Sequence, residues 1–385
     1  MGLVNRHTPK YQGCWDNYIS YNCGVYLYIS IGYNKLTAAF MDSEWRGGRT
    51  MKKLITAVVL FLTLLIFAGT AFAEPKRVSL IVNGDPVSDD YTAACIEGMD
   101  YAQKRFLRRV ATKVFNCVDK RGGETDANIL EAAAQWSDVV ILNGGDFSGL
   151  IGPVAEKYPN VIFVMLDGFS SKARNTYTIN FRDEEAGFLA GALAAIVAKR
   201  PDIDRIDPES GKIGLILGAK TAPIDKFRVG YIAGAWYIDK KLKVVLDYVG
   251  NFNDTAKARE IALRMRGENV RIIFAAAGKA GLGAIAAAKD NGYWMIGVDV
   301  AQEAKYPDAV LSSIVKRSGH VILKIIENVV NGKISAEKYF SLGAAEQCID
   351  VSTWTRESKQ NLPPDIREQM DEISDKLENK LIIIK

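Results

Sequence analysis

From Lys76 onward, short runs that are apolar at nearly every position alternate with longer segments whose apolar positions recur at helical spacing. "RVSLIV" is followed by "DDYTAACIEGMDYAQKRF", "VATKVFNC" by "TDANILEAAAQW", "DVVIL" by "SGLIGPVAEKY", and then comes "VIFVMLD". A strand buried on both faces loses its alternation, and such strands separated by amphipathic helices make a parallel sheet. After "NTYTINF" and the apolar helix "EEAGFLAGALAAIVAKR" the rhythm restarts: "KIGLILG", "IDKFRVGYIAGAWYID", "KVVLDYVG", "DTAKAREIALRMRG", "RIIFAA", "GLGAIAAAKDNG", "WMIGVD". The fold class is therefore α/β, with two similar lobes. "RPDIDRIDPESGK" reads as an exposed loop between elements of the second half. The strand "AVLSSIVKR", the long helix "GHVILKIIENVVNG" and "EKYFSLG" then read as a return to the first half, and a helical tail opens on Pro363-Pro364. The expected division is residues 74–182 and 302–335 for lobe 1, and 183–301 and 336–385 for lobe 2. Lobes joined by several crossings hinge, and their cleft faces the C-terminal ends of the strands.

Residues 51–73 break this pattern. "MKKLITAVVLFLTLLIFAGTAFAEP" sets Lys52 and Lys53 before an apolar run from Leu54 to Phe67, and ends in Ala71-Phe72-Ala73. That is the three-part layout of a secretory signal cleaved before Glu74. An uncleaved anchor is the alternative, since the run approaches spanning length; the Ala-x-Ala exit favours cleavage. A targeting segment has to emerge first to be read, so Met51 is expected to be the true start and residues 1–50 an upstream mis-start.

Export changes how charge and cysteine read. Residues 1–73 hold seven of the 49 Lys and Arg and three of the 45 acids, so 42 of each remain and the mature chain is formally neutral. The overall charge of +4 is then no argument for nucleic-acid binding. Cys95, Cys117 and Cys348 would enter an oxidising compartment, and their spacing leaves one disulfide plus a thiol, or three thiols, equally open. No cysteine directly follows Ala73, where Glu74 stands, so a soluble extracytoplasmic protein is expected, without a lipid anchor.

The stretch "IIFAAAGKAGLGAIAAAKDNGYWMIGVD" tests for a cofactor loop. Gly278, Gly281 and Gly283 run G-x-x-G-x-G late in the chain, where a dinucleotide fold needs G-x-G-x-x-G at its first βα turn. Lys279 precedes Ala280, so no phosphate loop of the GK[ST] type is present. The better reading is a helix start whose backbone N–H groups approach a polar ligand, with Asp299 at a strand end accepting from ligand hydroxyls. His320 is the lone histidine of the mature chain, and no G-x-S-x-G, H-E-x-x-H or C-x-x-C occurs. No enzyme, cofactor or metal is expected; a hydrolase working by acids alone is the remote alternative.

"GKIGLILGAKTAPIDKFRVGYIAGA", "YVGNFNDTAKAREIA", the glycine stretch above and "VLSSIVKR", in this order, resemble the basic membrane protein family, substrate-binding proteins of bacterial ABC transporters whose best-known branch takes up purine nucleosides. "DVVILNGGDF", "VAEKYPNVIFVMLDG" and "FRDEEAGFLAGALAA" match as well, so the likeness spans Val78 to Lys333. It implies a type I periplasmic-binding-protein fold, two Rossmann-like lobes on a multi-strand hinge, that closes on a small molecule and docks on a membrane permease as a monomer. A ligand-presenting sensor for a membrane receptor shares the same features. By the same resemblance Tyr91 and Phe252 sandwich a base, Asp167 reaches the cleft from lobe 1, and Gly278, Asp299 and Lys316 serve the ribose side. Phe227 reads as helix packing and Asp254 as a helix cap, while Asp85 is a weaker ligand candidate or equally a turn residue. Ser88 and Thr92 stand where the family usually carries Asp and Asn, and Ala301 replaces a common Asp; a flavin or free base is the alternative ligand.

Overall fold

In the computed structural model, which describes residues 74–119, 125–169, 171–333, 337–352 and 354–384, the apolar runs pair into two separate six-stranded sheets. The expected signal segment and the 1–50 mis-start lie outside the described residues. The first sheet holds β1 (Lys76–Val82), β2 (Val110–Asn116), β3 (Val139–Asn143), β4 (Ile162–Leu166), β5 (Thr176–Phe181) and β11 (Tyr339–Leu342), in the order β11-β5-β4-β3-β1-β2. The second holds β6 (Lys212–Leu217), β7 (Lys243–Tyr248), β8 (Ile272–Ala276), β9 (Trp294–Asp299), β10 (Val310–Lys316) and β12 (Ile349–Val351), in the matching order β12-β10-β9-β8-β6-β7. The two sheets are thus one pattern used twice. Every pairing is parallel except that of β12 with β10. The central β3 and β8 are buried at each position, while the edge strand β7 is partly exposed, as a doubly covered parallel sheet requires.

Helices cover both faces: α1 (Asp90–Phe106), α2 (Asp126–Trp136) and α3 (Ile151–Lys157) follow the first three strands of the first sheet, and α5 (Ala222–Ile238), α6 (Thr255–Gly267) and α7 (Gly281–Asn291) those of the second. Thr125 and Asn128 form a reciprocal capping box on α2, and Asp254 caps α6 by accepting the Lys257 N–H at 2.9 Å, as its sequence suggested. Between α4 (Asp183–Val197) and α5 the approach is unusually close. Gly187 and Gly191 of α4 face the carbonyls of Phe227 and Tyr231, and Gly230 and Gly234 of α5 face those of Glu184 and Phe188; a Cβ at any of the four would overlap the facing oxygen. Two "G-x-x-x-G" rows bring backbone against backbone, which accounts for why "GFLAG" and "GYIAG" carry glycine where helix propensity disfavours it. Phe227 packs inward against Phe274, as expected.

The chain crosses between lobes three times: at Arg182 between β5 and α4, at Arg317 between β10 and α8 (Ser318–Val330), and at Gly343–Cys348 between β11 and β12. These crossings are tied together. Arg182 N–H donates to Leu342 O at 2.7 Å and its guanidinium to Ser341 O, while Arg317 N–H donates to Cys348 O at 2.9 Å. The expected division of the last third is corrected here. Residues 310–316 form β10 and pair with β9 in the second sheet, not the first; only α8 returns to lobe 1, where Gly319 lies against Ala94 and Gly98 of α1. Conversely β11 pairs with β5, as the reading of "EKYFSLG" as a return to the first half expects and against the 336–385 boundary that put it in lobe 2. An apolar run announces burial but not its neighbour, and the neighbour is chosen by tertiary register.

The tail forms α9 (Arg356–Asn361) and α10 (Pro364–Glu378), and α10 buries Ile366, Met370, Ile373 and Leu377. Cys95, Cys117 and Cys348 are all buried, and no disulfide joins one to another among the described residues. Among the described residues no helix is long and apolar enough to cross a membrane.

Candidate functional site

Parallel strands deliver side chains to the edge where they all end, and the six residues singled out from sequence sit at that edge, in the loops beyond it or, for Tyr91, in the first turn of the helix that follows. Asp167 follows β4 directly, and its φ of 51° puts it in the left-handed region. Asp299 ends β9 with φ of 68°. L-residues avoid this region, and Asp is among the few that tolerate it.

Lys316 ends β10, one residue past the Val315 that pairs with Asp299. Only 7% exposed, it sends Nζ to Asp167 Oδ2 at 2.5 Å and to Asp183 Oδ1 at 3.1 Å. Its ammonium lies 4.9 Å from the Tyr91 ring centre and 4.6 Å from that of Phe181. Tyr91 O–H donates to the same Asp167 Oδ2 at 2.7 Å, and Phe181 N–H to Oδ1 at 3.3 Å. Tyr91, Asp167 and Lys316 therefore form one hydrogen-bonded unit spanning the two lobes. Sequence reasoning placed all three at the site; it missed Asp183 and Phe181. "FRDEEAG" puts three acids in the first turn of α4, and nothing in the pattern marks the first of them as the buried one.

Charge is unevenly balanced. Asp167, Asp183 and Asp299 surround one buried ammonium, and water is largely excluded, so the carboxylates cannot all ionise without cost. Burial pushes the Asp299 carboxyl up to about 7; Asp89 and Asp167 add to the rise and Lys316 opposes it. Burial also raises Asp183, against the pull of Lys316. The neighbouring carboxylates hold the Lys316 ammonium firmly protonated although burial works the other way. Burial, and then the charge of Asp167, keep the Tyr91 phenol neutral. Asp299 accepts no hydrogen bond from the described residues, so its oxygens are free for a ligand. Among those residues no group of His, Cys, Asp or Glu is arranged to hold a metal ion, since these acids converge on a lysine rather than on one another.

Phe252 and Gly278 meet on the lobe 2 side. The Phe252 ring lies across Gly218, where a Cβ would overlap it, and Phe252 O accepts the Ala280 N–H at 2.8 Å. Gly278 has φ of 54°, and a Cβ there would stand 3.5 Å from Phe252 Cβ. Phe252 is 37% exposed, an apolar side chain partly open to solvent beyond the strand ends although its ring rests on Gly218. Asp85 behaves as a turn residue, accepting from Val87 N–H and Ser88 O–H.

With this geometry in place, comparison with known proteins decides the family. Residues 76–385 match the profile described as ABC transporter substrate-binding protein, PnrA-like. The chain belongs to the Bmp family. It is 28% identical over 343 residues to basic membrane protein A of Borreliella burgdorferi, covering 87% of this chain and 96% of that one. It is 30% identical over 298 residues to basic membrane protein D of the same species, covering 75% and 82%. A solved solute-binding protein of an ABC transporter system from Aeropyrum pernix superposes with a TM-score of 0.68 at 22% identity, over 81% of this chain and 94% of that one. The Bmp fold expected from sequence, two parallel-sheet lobes of periplasmic-binding-protein type, is the fold observed. The family and these neighbours are solute-binding proteins, not enzymes, and such proteins bind small ligands outside the cytoplasm and partner with permeases.

Proposed function

We propose that this Bmp protein binds a purine nucleoside in the cleft between its lobes and delivers it, as a monomer, to an ABC permease. The observation that carries this reading is the pairing of an open acceptor with a fixed donor: Asp299, without a side-chain hydrogen-bond partner among the described residues, stands beside the buried Lys316 ammonium. A vicinal diol donates to the first and accepts from the second, which suits a ribose. The Gly278 backbone, unshielded by a side chain, adds a close approach on the same side. The exposed ring of Phe252 offers a stacking face for a flat base, and Tyr91 the facing lobe's aromatic. Asp167 acts in this reading by holding Tyr91 and Lys316 in place.

Export through residues 51–73 as a cleavable signal, giving a mature chain from Glu74, belongs to the same proposal. Calorimetric titration with inosine, adenosine and guanosine, with arabinose and glucose as controls, tests it. Saturable one-to-one nucleoside binding is expected; tight sugar binding with no nucleoside heat would refute it. N-terminal sequencing of the exported protein reads the cleavage point directly.

A further inference from the structure

Beyond the ligand contacts, one side chain bridges the lobes without being part of the hydrogen-bonded unit around Lys316. Gln302 opens a short helical turn after β9 and is only 7% exposed. Its Oε1 accepts the Val298 N–H at 3.2 Å and its own N–H donates to Ser313 Oγ at 3.0 Å, so it is fixed to β9 and β10 of lobe 2. Gly297 makes room for it: a Cβ there would meet both Gln302 and Ser313. The remaining polar atom, Nε2, crosses to lobe 1 and donates to Asp90 Oδ2 at 2.8 Å. Asp90 opens α1 and directly precedes Tyr91, while Gln302 lies three residues after Asp299. Lys305, on the same turn, approaches Asp90 at 3.9 Å.

What lies beneath Gln302 stiffens it. Glu303 is fully buried, and its carboxylate accepts from Ser313 Oγ at 2.5 Å, Ser352 Oγ at 2.6 Å and Thr355 Oγ1 at 3.2 Å. Three hydroxyls from β10, the segment after β12 and the cap of α9 thus clamp the turn that presents Gln302. A buried carboxylate satisfied this fully is costly to disturb, so the turn moves with lobe 2 as a rigid piece.

We propose that Gln302 is a positioning residue that latches lobe 2 onto Asp90 of lobe 1, holding the starts of the Tyr91 and Asp299 segments in register when the cleft is shut. The inference rests on the two-lobed binding-protein reading but not on the identity of the ligand. In an opened cleft Gln302 Nε2 and Asp90 would each turn to water, so the latch contributes the difference between a partly buried charged hydrogen bond and two solvated groups.

The test is an interlobe distance distribution from paired spin labels at Lys172→Cys and Thr221→Cys, recorded first in ligand-free protein. Gln302→Leu and Asp90→Ala should each lower the closed-to-open ratio about tenfold, and the double variant should stay close to either single, because the same bond from Gln302 to Asp90 is lost in all three. Asp90→Ala leaves the bonds of Gln302 within lobe 2 intact, so a folding defect in Gln302→Leu does not obscure the result. Distributions unchanged by both substitutions, or a double variant equal to the product of the singles, would overturn the latch. Adding inosine to the same labelled protein separates the two ideas: a latch effect with no inosine-driven closure would retire the nucleoside and leave the latch standing.

Discussion

Asp167 and Asp299 are the same residue of two repeats: each stands at the end of the fourth strand of its lobe, and each takes a left-handed backbone, φ of 51° and 68°. Their surroundings then separate them. Asp167 is filled by Tyr91, Lys316 and the Phe181 N–H, whereas Asp299 keeps its oxygens open. One acid organises the contacts between the lobes, and the other carries the proposed ligand contact.

Removing Asp299 should therefore cost binding rather than folding. Asp299→Gly relieves the left-handed backbone and deletes the acceptor, leaving ligand hydroxyls unpaired. Loss of about 1.5–3 kcal/mol is expected, roughly 10–150-fold in nucleoside Kd, with an unchanged or higher melting temperature. Calorimetry and a thermal melt on one sample check both halves.

The pH dependence follows from the same group. Burial, aided by Asp89 and Asp167 and opposed by Lys316, lifts Asp299 from the ordinary carboxylate range to about 7. Raised in the folded state, it makes the ligand-free fold gain stability as pH falls from about 7 towards 4, because only the folded chain holds the proton there. A ligand that donates to the ionised acid does the reverse and expels the proton. Nucleoside affinity should then fall about tenfold per pH unit below 7, and binding heats in buffers of different ionisation enthalpy should reveal proton release at pH 6. A flat Kd from pH 5 to 8 would remove Asp299 from the contact.

Lys316→Met should damage the fold. It strands Asp167 and Asp183 around an apolar tip, and losing one partner of a buried ion pair costs about 3–5 kcal/mol. The deficit should shrink at pH 5, where Asp183, raised by burial to about 7, can take up a proton. Chemical denaturation of both proteins at pH 5 and 8 measures it.

How much of this was legible in the chain depends on what each residue reports. The alternation of apolar runs and helices gave two lobes, and Tyr91, Asp167 and Lys316 do converge, because parallel strands bring their ends and the segments that follow them to one edge. The placement of β10 was not legible and that of β11 only in part, since burial periodicity does not name the partner strand. Asp183, Gln302 and Glu303 escaped for a related reason: an acid in a first helical turn, or an amide in a loop, looks solvated until tertiary packing buries it. The glycines of α4 and α5 were on the page as "GFLAG" and "GYIAG", but only the contact shows that each faces a carbonyl.

That contact makes a prediction of its own. Gly191→Ala drives a methyl into Tyr231 O and should lower stability by about 1–3 kcal/mol or more by overpacking. Gly267→Ala, in α6 with open space around it, should be neutral or stabilising by up to about 1 kcal/mol. Two melts distinguish close packing from helix propensity.

The central claim is the ligand, and the most direct measurement is mass spectrometry of small molecules released on denaturing the purified protein, followed by titration of whatever appears. A purine nucleoside at close to one per chain is the predicted result. A compound without ribose at that ratio, not displaced by any nucleoside, would contradict the account, and Ser88 and Thr92, beside Tyr91, would be the first positions to re-examine.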